Sequence, residues 1–329
     1  MTEEMEKLIA HFPEDMEESI AQHRNLGKPD LRPFDNILIT GLGGSGIGGS
    51  LIAETLAPSA KIPIVVNKNY EVPAWVNEKT LVIACSYSGN TEETIAAAEH
   101  AKKQGAQLAV ITSAGKLLKK AQDENLPLVE LPEGFPPRAA FGHSSVALFA
   151  LLGVCGVAHW NANEFLKIAD HLKEKQEEIK SIARDLAEKL SGRIPVLYSA
   201  EGLSAVAVRW RQQINENAKM LCWHHVFPEM NHNELVGWAG GDNRMGVVIL
   251  RSSDDHPRSA VRMDLSRDLI AKQTDVVEEV EAVGDNQLER MYYLIAVGDW
   301  LSLYLSEKRG VDPVEVNVIT HLKSELARH

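Results

Sequence analysis

Six side chains able to bind a metal or move a proton crowd into one short stretch, "CWHHVFPEMNHNE": Cys222, His224, His225, Glu229, His232 and Glu234. Histidine and cysteine are the usual zinc ligands. The spacing, however, matches neither a C-x-x-C pair nor an H-E-x-x-H helix. A metal centre and a single histidine working as acid and base near neutral pH both stay open, and the second suits the spacing better. Trp223 and Trp238 read as packing against a core or an interface. In "RWRQQINENAKM" the apolar positions Leu203, Ala207, Trp210 and Ile214 define one helical stripe. Glu216 falls about 150° from the centre of that stripe at 100° per residue. An exposed carboxylate is the common fate of such a Glu, and it becomes a base only where another surface, such as a partner subunit, covers it. Arg138 in "GFPPRAAFG" follows Pro136-Pro137 at a predicted helix start, where a cation is unfavourable. It is either a solvated surface residue or a group that joins the helix end in stabilising an anion. His321 and Lys323 lie off or at the edge of the stripe Ile319, Leu322, Leu326, which predicts a solvated last helix.

Two loops carry groups suited to an anion. "GLGGSGIGG" (41–49) holds six glycines and satisfies G-x-G-x-x-G through Gly41, Gly43 and Gly46. A dinucleotide fold also needs an acidic residue closing the second strand, for the ribose hydroxyls. Here that strand closes "VVNKNY", with Asn67, Lys68 and Asn69. A Gly-Lys-Ser/Thr loop is missing too, so neither nucleotide motif is complete. "SYSGNTEET" follows a strand and opens a helix, offering the hydroxyls of Ser86, Ser88 and Thr91, with Gly89 for a tight turn. Asn90 and Glu93 have the spacing of a capping box. Exposed amides and the positive helix end favour a phosphate without any Lys or Arg. A merely well-capped helix explains the same residues.

These loops belong to an alternation of strand and helix signals. "NILIT", "KIPIVVN", "TLVIACS", "AQLAVITS" and "LPLVELP" read as strands, with helical stretches between them and one, opened by prolines, after them, "PPRAAFGHSSVALFALLGVCGVA". Such alternation predicts α/β architecture: doubly wound parallel sheets with helices on both faces. The expected division is a helical segment over 1–30, a first domain over 31–159, a helical connector over 160–192 and a second domain over 193–329. The two domains look like a diverged internal repeat. "ILITGLGGSGIGG" aligns with "VLYSAEGLSAVAV", and Ser86 with Ser252, where the second copy carries Asp254-Asp255-His256-Pro257. If these loops bind an anion, only the first copy still does.

The 329 residues are 44% hydrophobic and 24% charged, an ordinary globular composition. A net charge of −12 argues against nucleic acid or an anionic membrane as partner. Three dispersed cysteines suggest a reducing compartment. The acidic opening "MTEEMEKLIAHF" does not resemble a signal peptide, and Val146–Ala158 is too short to span a membrane, so a cytoplasmic protein is expected.

Taken in order, "GLGGSGIGG", "SYSGNTEET", "GFPPRAA", "QINENAK", "MNHNE" and "HLKSEL" resemble the bifunctional phosphoglucose/phosphomannose isomerases, which are built from two sugar isomerase (SIS) domains. The resemblance runs from about residue 35 to the C-terminus, and "INENAK" followed by "NHNE" is its most specific part. It implies that Ser45, Ser86, Ser88 and Thr91 hold a substrate phosphate, with Gly43, Gly44 and Gly89 allowing close backbone approach. It implies Glu216 as the base moving a proton between C1 and C2, and Arg138 as the group stabilising a cis-enediolate. His232 and Lys323 would assist ring opening, His232 reaching in from the other subunit of a homodimer. The substrates implied are glucose 6-phosphate and mannose 6-phosphate, each interconverted with fructose 6-phosphate, with no cofactor and no metal. His143 stands where an aromatic residue is expected and receives no role. Three rivals remain: a non-catalytic SIS regulator binding a sugar phosphate, an SIS isomerase of another sugar phosphate, and a metal-dependent isomerase using the histidine cluster.

Overall fold

Every apolar run expected to be a strand is one, and the strands assemble into two separate parallel sheets. The computed structural model describes residues 2–326 and 328. In chain order the elements are α1 (Thr2–Ala10), α2 (Phe12–His23), β1 (Asn36–Thr40), α3 (Gly43–Leu56), β2 (Ile64–Asn67), β3 (Thr80–Cys85), α4 (Glu92–Lys103), β4 (Gln107–Thr112), α5 (Gly115–Asp123), β5 (Leu128–Glu130) and α6 (Phe141–Val154). They continue with α7 (Ala162–Glu174), α8 (Gln176–Leu190), β6 (Ile194–Ala200), α9 (Ser204–Ala218), β7 (Trp223–Phe227), α10 (Glu234–Gly237), β8 (Met245–Arg251), α11 (Pro257–Ile270), β9 (Val277–Glu281), α12 (Gln287–Arg309) and α13 (Asn317–Leu326). Contacts divide the chain into two units: residues 11–173 form one, while α1 joins everything from Glu174 onward in the other. The stretch 160–192 is therefore shared out, α7 lying in the first unit and α8 in the second.

In the first unit the strand order is β2-β1-β3-β4-β5, all parallel. β3 is buried along its whole length, which is why "TLVIAC" reads as a continuous apolar run rather than an alternation. The proline-opened helix starts later than the sequence suggests. Pro136 lends its carbonyl to the amides of Ala139 and Ala140, making a turn, and α6 begins only at Phe141. From there its core residues Val146 to Leu152 are buried.

The second sheet has the order β7-β6-β8-β9, again all parallel, repeating the first four positions of the other. The step from β6 to β7 and the step back from β7 past β6 to β8 run in opposite directions. Right-handed connections therefore put their crossovers on opposite faces. Packing agrees: Val196, Tyr198 and Ala200 face a cluster containing Met230, Trp238, Met263 and Ile270. Residues 229–240 and α11 thus cover one face of the sheet. α9 covers the other, where it packs against α12, itself packed on α8.

Candidate active site

The first unit joins its two anion-suited loops through one hydroxyl. Ser45 lies in the first turn of α3, and its Oγ accepts the Tyr87 amide proton at 2.9 Å. Ser45, Ser86, Tyr87 and Ser144 line one small pocket. Ser86 Oγ and Thr91 Oγ1 lie 2.9 Å apart, and Ser88, which is exposed, accepts from the Asn90 amide at 3.3 Å. Neither Leu42 before α3 nor Thr91 before α4 caps its helix with a side chain. The first amides of both helices thus lack intrahelical partners, as helix starts do, and the positive helix ends favour an anion.

The expected Asn90–Glu93 capping box is not formed. α4 begins at Glu92, one residue too late for Asn90 to cap it, and Asn90 Oδ1 instead accepts the Lys116 amide at 3.1 Å. The glycines approach the chain's own backbone. A Cβ on Gly44 would meet Pro137 O at 2.8 Å, and one on Gly89 would meet Ala114 O at 1.7 Å. Gly89 also sits at φ +64°, which favours glycine. Gly43, at φ +54°, faces open space, with nothing within 4 Å of where a Cβ would stand. Gly44 thereby brings α3 against the Pro137–Arg138 turn. Arg138 is 4% exposed, so the solvated surface reading is wrong: the turn that delays α6 tucks this side chain inward.

The second copy of the loop fills itself. Asp255 Oδ2 accepts the Ser252 amide at 3.0 Å, and Asp254 takes both the Ser252 hydroxyl and a two-point contact from Arg290 at 2.6 and 2.8 Å. Carboxylates occupy the donors that would otherwise meet a bound anion.

Glu216 lies near the C-terminal end of α9 and is half-buried rather than merely exposed. The helix is held to α12 by a polar ladder that the sequence reading missed. Arg209 meets Asp299 through Nε–Oδ1 at 3.1 Å and Nη2–Oδ2 at 2.6 Å. Gln213 donates to Asp299 Oδ1 at 2.9 Å, and Asn217 to Ser302 Oγ at 2.9 Å. Positions 209, 213 and 217 share one helix face. Burial pushes the Asp299 carboxyl upward, against the pull of Arg209. Trp210 is fully buried, donates to Leu294 O at 2.7 Å and packs where any side chain at Gly298 would collide. The lone Asp299 and Gly298 inside the apolar run "YYLIAVGDWLSLYL" were the available signal.

Lys219 Nζ donates to Glu216 O at 2.5 Å and Glu315 O at 2.6 Å, so the segment leading into α13 is rooted beside the end of α9. Lys323 and His321 are exposed on α13 as expected. Its stripe Ile319, Leu322 and Leu326 is exposed as well, so the solvated helix shows its apolar side too.

His232 closes a short 3-10 turn, Glu229–His232, and is exposed. Glu234 fixes the segment after it: its Oε1 accepts from Tyr198 Oη at 2.5 Å and from Trp223 Nε1 at 3.0 Å, while Trp238 Nε1 donates to Tyr198 Oη at 2.8 Å. Burial first, and the Glu234 carboxylate next, push the Tyr198 hydroxyl pKa upward, so it stays a donor. The histidine cluster does not converge. His224 and His225 are successive strand residues and point to opposite faces. Among the described residues, no three ligating atoms of Cys222 to Glu234 come together. Glu216 and His232 sit on opposite faces of one sheet, since α9 covers one side and residues 229–240 the other.

Comparison with known proteins sets this arrangement in a family. Residues 179–326 match the bacterial phospho-glucose isomerase C-terminal SIS domain, and residues 30–156 match the SIS domain. A bifunctional phosphoglucose/phosphomannose isomerase of Caldicellulosiruptor bescii is 38% identical over 97% of this chain and 98% of its own. One of Aquifex aeolicus is 37% identical over 99% of each. Among solved structures, the tagatose-6-phosphate ketose/aldose isomerase of Escherichia coli superposes with a TM-score of 0.74 at 20% identity, covering 94% of both chains, a likeness of fold. No described helix is long and apolar enough to cross a membrane.

Proposed function

Given that this chain belongs to the bifunctional phosphoglucose/phosphomannose isomerase family, we propose that it interconverts glucose 6-phosphate and mannose 6-phosphate with fructose 6-phosphate. The observation that carries the reading is the Ser45 bridge, which holds two uncapped helix starts and three further hydroxyls side by side as a cradle for a sugar phosphate. Ser45, Ser86, Ser88 and Thr91 take the phosphate oxygens, supplying a local site in a chain of net charge −12.

Ring opening comes first, with His232 and Lys323 moving protons between the ring oxygen and the C1 hydroxyl. Glu216 then removes the C2 proton of the open aldose. The C–H electron pair becomes the C1–C2 double bond, the carbonyl electrons move onto O1, and a proton passes from O2 toward O1. Arg138 stabilises the resulting cis-enediolate charge. Glu216 returns its proton to C1, which gives the ketose. Both aldose epimers converge on this enediolate, so one base serves both. Proton transfer by a positioned carboxylate contributes about 100- to 10,000-fold.

The active form in this reading is a cytoplasmic homodimer with His232 supplied across the interface. The opposite-face positions of Glu216 and His232 support that, because a single copy keeps the sheet between them. The test is a coupled assay of both aldose phosphates for wild type and Glu216→Gln. The expected result is loss of turnover on both with little change in KM. Full activity of Glu216→Gln on either substrate overturns the mechanism.

A further inference from the structure

His143, left without a role by the isomerase reading, belongs to a second cluster in the first unit. It stands in the first turn of α6 and faces Asp15 on α2, with His143 Nε2 3.4 Å from Asp15 Oδ1. The two helices approach closely: a Cβ on Gly142 would sit 2.9 Å from Asp15 Cβ, and Ser19 donates its hydroxyl to the His143 carbonyl at 3.0 Å. Asp15 is 0% and His143 1% exposed. Neither carboxylate oxygen of Asp15 and neither ring nitrogen of His143 has a hydrogen-bond partner among the described residues. A carboxylate kept from water with a charge contact but no hydrogen bond is costly, and buried polar groups are almost always hydrogen-bonded. Glu18 lies one helical turn along from Asp15, on the same face. One ligand atom from each of Asp15, Glu18 and His143 falls within 4.8 Å of the other two.

We infer that Asp15, Glu18 and His143 form a binding site for a divalent transition-metal cation, with zinc the best match. Bond lengths of about 2.0–2.2 Å in a tetrahedral site put ligand atoms roughly 3.3–3.6 Å apart. The 3.4 Å between Asp15 and His143 is one such edge. Glu18 is exposed, with His11 Nε2 at 3.9 Å, and its carboxylate must move inward from within 4.8 Å to close the remaining edges. An imidazole with two carboxylates selects against calcium and magnesium, which prefer all-oxygen shells. Three protein ligands leave a fourth position to solvent. The cation staples α2 to α6, whose Ser144 lines the pocket beside Ser45 and Ser86. It takes no part in the proton transfers assigned to Glu216, Arg138, His232 and Lys323.

The test uses the full-length protein stripped of metal with a chelator, then titrated with zinc ions by calorimetry and with cobalt ions by visible absorption. Wild type is expected to bind one zinc per chain, to give the intense d–d bands of four-coordinate cobalt, and to melt at higher temperature with zinc. Glu18→Gln, at an exposed position that leaves folding intact, is expected to bind at least ten-fold more weakly. His143→Phe is expected to lose the site. Equal affinity and stoichiometry in wild type and Glu18→Gln would place the metal elsewhere and overturn the assignment. So would wild type that binds no zinc, in which case water satisfies the pair.

Discussion

Mixing two inactive variants should restore activity if His232 serves the partner's site. Stacked layers pack about 10 Å apart face to face, so layers on either side of one sheet are separated by roughly 20 Å. A general acid must come within about 3 Å of the atom it protonates. With the sheet between them, Glu216 and His232 of one copy should fail that requirement. Glu216→Gln and His232→Ala homodimers should each fall about 100- to 10,000-fold below wild type. A heterodimer of the two carries one site with both groups intact and one site with neither. Random reassortment of equal amounts makes half the dimers mixed, so about a quarter of wild-type activity should return in a two-fold symmetric assembly. Subunits are exchanged in mild denaturant, mixed dimers are counted by native mass spectrometry with one variant mass-tagged, and turnover is followed by a coupled assay. Mixed dimers that form with no activity above the parental average would refute the shared site. Absence of any dimer would do the same.

Other consequences follow from residues outside the reacting groups. Asp299→Ala removes the carboxylate from Arg209 and Gln213, and breaking a buried pair in this way costs about 3–5 kcal/mol; an unfolding midpoint equivalent to less than about 1 kcal/mol would show that the ladder does not hold α9. Gly89→Ala drives a methyl into Ala114 O from a left-handed backbone and should raise KM for the sugar phosphate more than it lowers kcat. An unchanged KM would separate that loop from phosphate binding. Burial pushes the Cys85 and Cys222 thiols up to about 12 and Cys155 to about 11, so none should react with a thiol reagent at pH 7.5 within minutes, while all three react in denaturant. Rapid labelling of the native protein would contradict that packing.

What could be read in advance followed from continuous patterns. Buried parallel strands are apolar on both faces, so "ILIT" and "LVIAC" announced themselves, and each helix between them had to cross back over the sheet. The stripe Leu203, Ala207, Trp210 and Ile214 is buried throughout, as its spacing demanded. Features decided by a distant partner stayed hidden. Arg209, Gln213 and Asn217 run from the polar side of the helical wheel to the edge of its apolar stripe, and nothing local shows that Asp299 and Ser302, some 85 to 90 residues on, are brought against them. Arg138 stayed open between a solvated residue and an anion-stabilising one because proline at a helix start is common, whereas here Pro136 opens a turn and α6 waits for Phe141. The separation of Glu216 from His232 needed the strand order, since only the reversal of step at β7 assigns them to different faces.

The same reversal occurs in both halves, so their difference lies in the loops. Both sheets share the order of their first four strands, and in each the loop after the third strand opens a helix. In the first half this loop is built of Ser86, Ser88, Gly89 and Thr91 with no carboxylate before the helix begins at Glu92. In the second, Asp255 lies on the Ser252 amide, Asp254 is tied to Arg290, and His256 Nδ1 accepts the Arg258 amide at the start of α11. A bound phosphate there would have to displace two carboxylates from donors they already satisfy, and would meet their charge. Burial raises the Asp255 carboxyl above its ordinary range, and the Ser252 amide pulls it back, which is the balance of a group held for structure. Substituting Asp255 by Asn should therefore leave phosphate-ester binding confined to the first half. The second half carries Glu216 on one face of its sheet and His232 on the other.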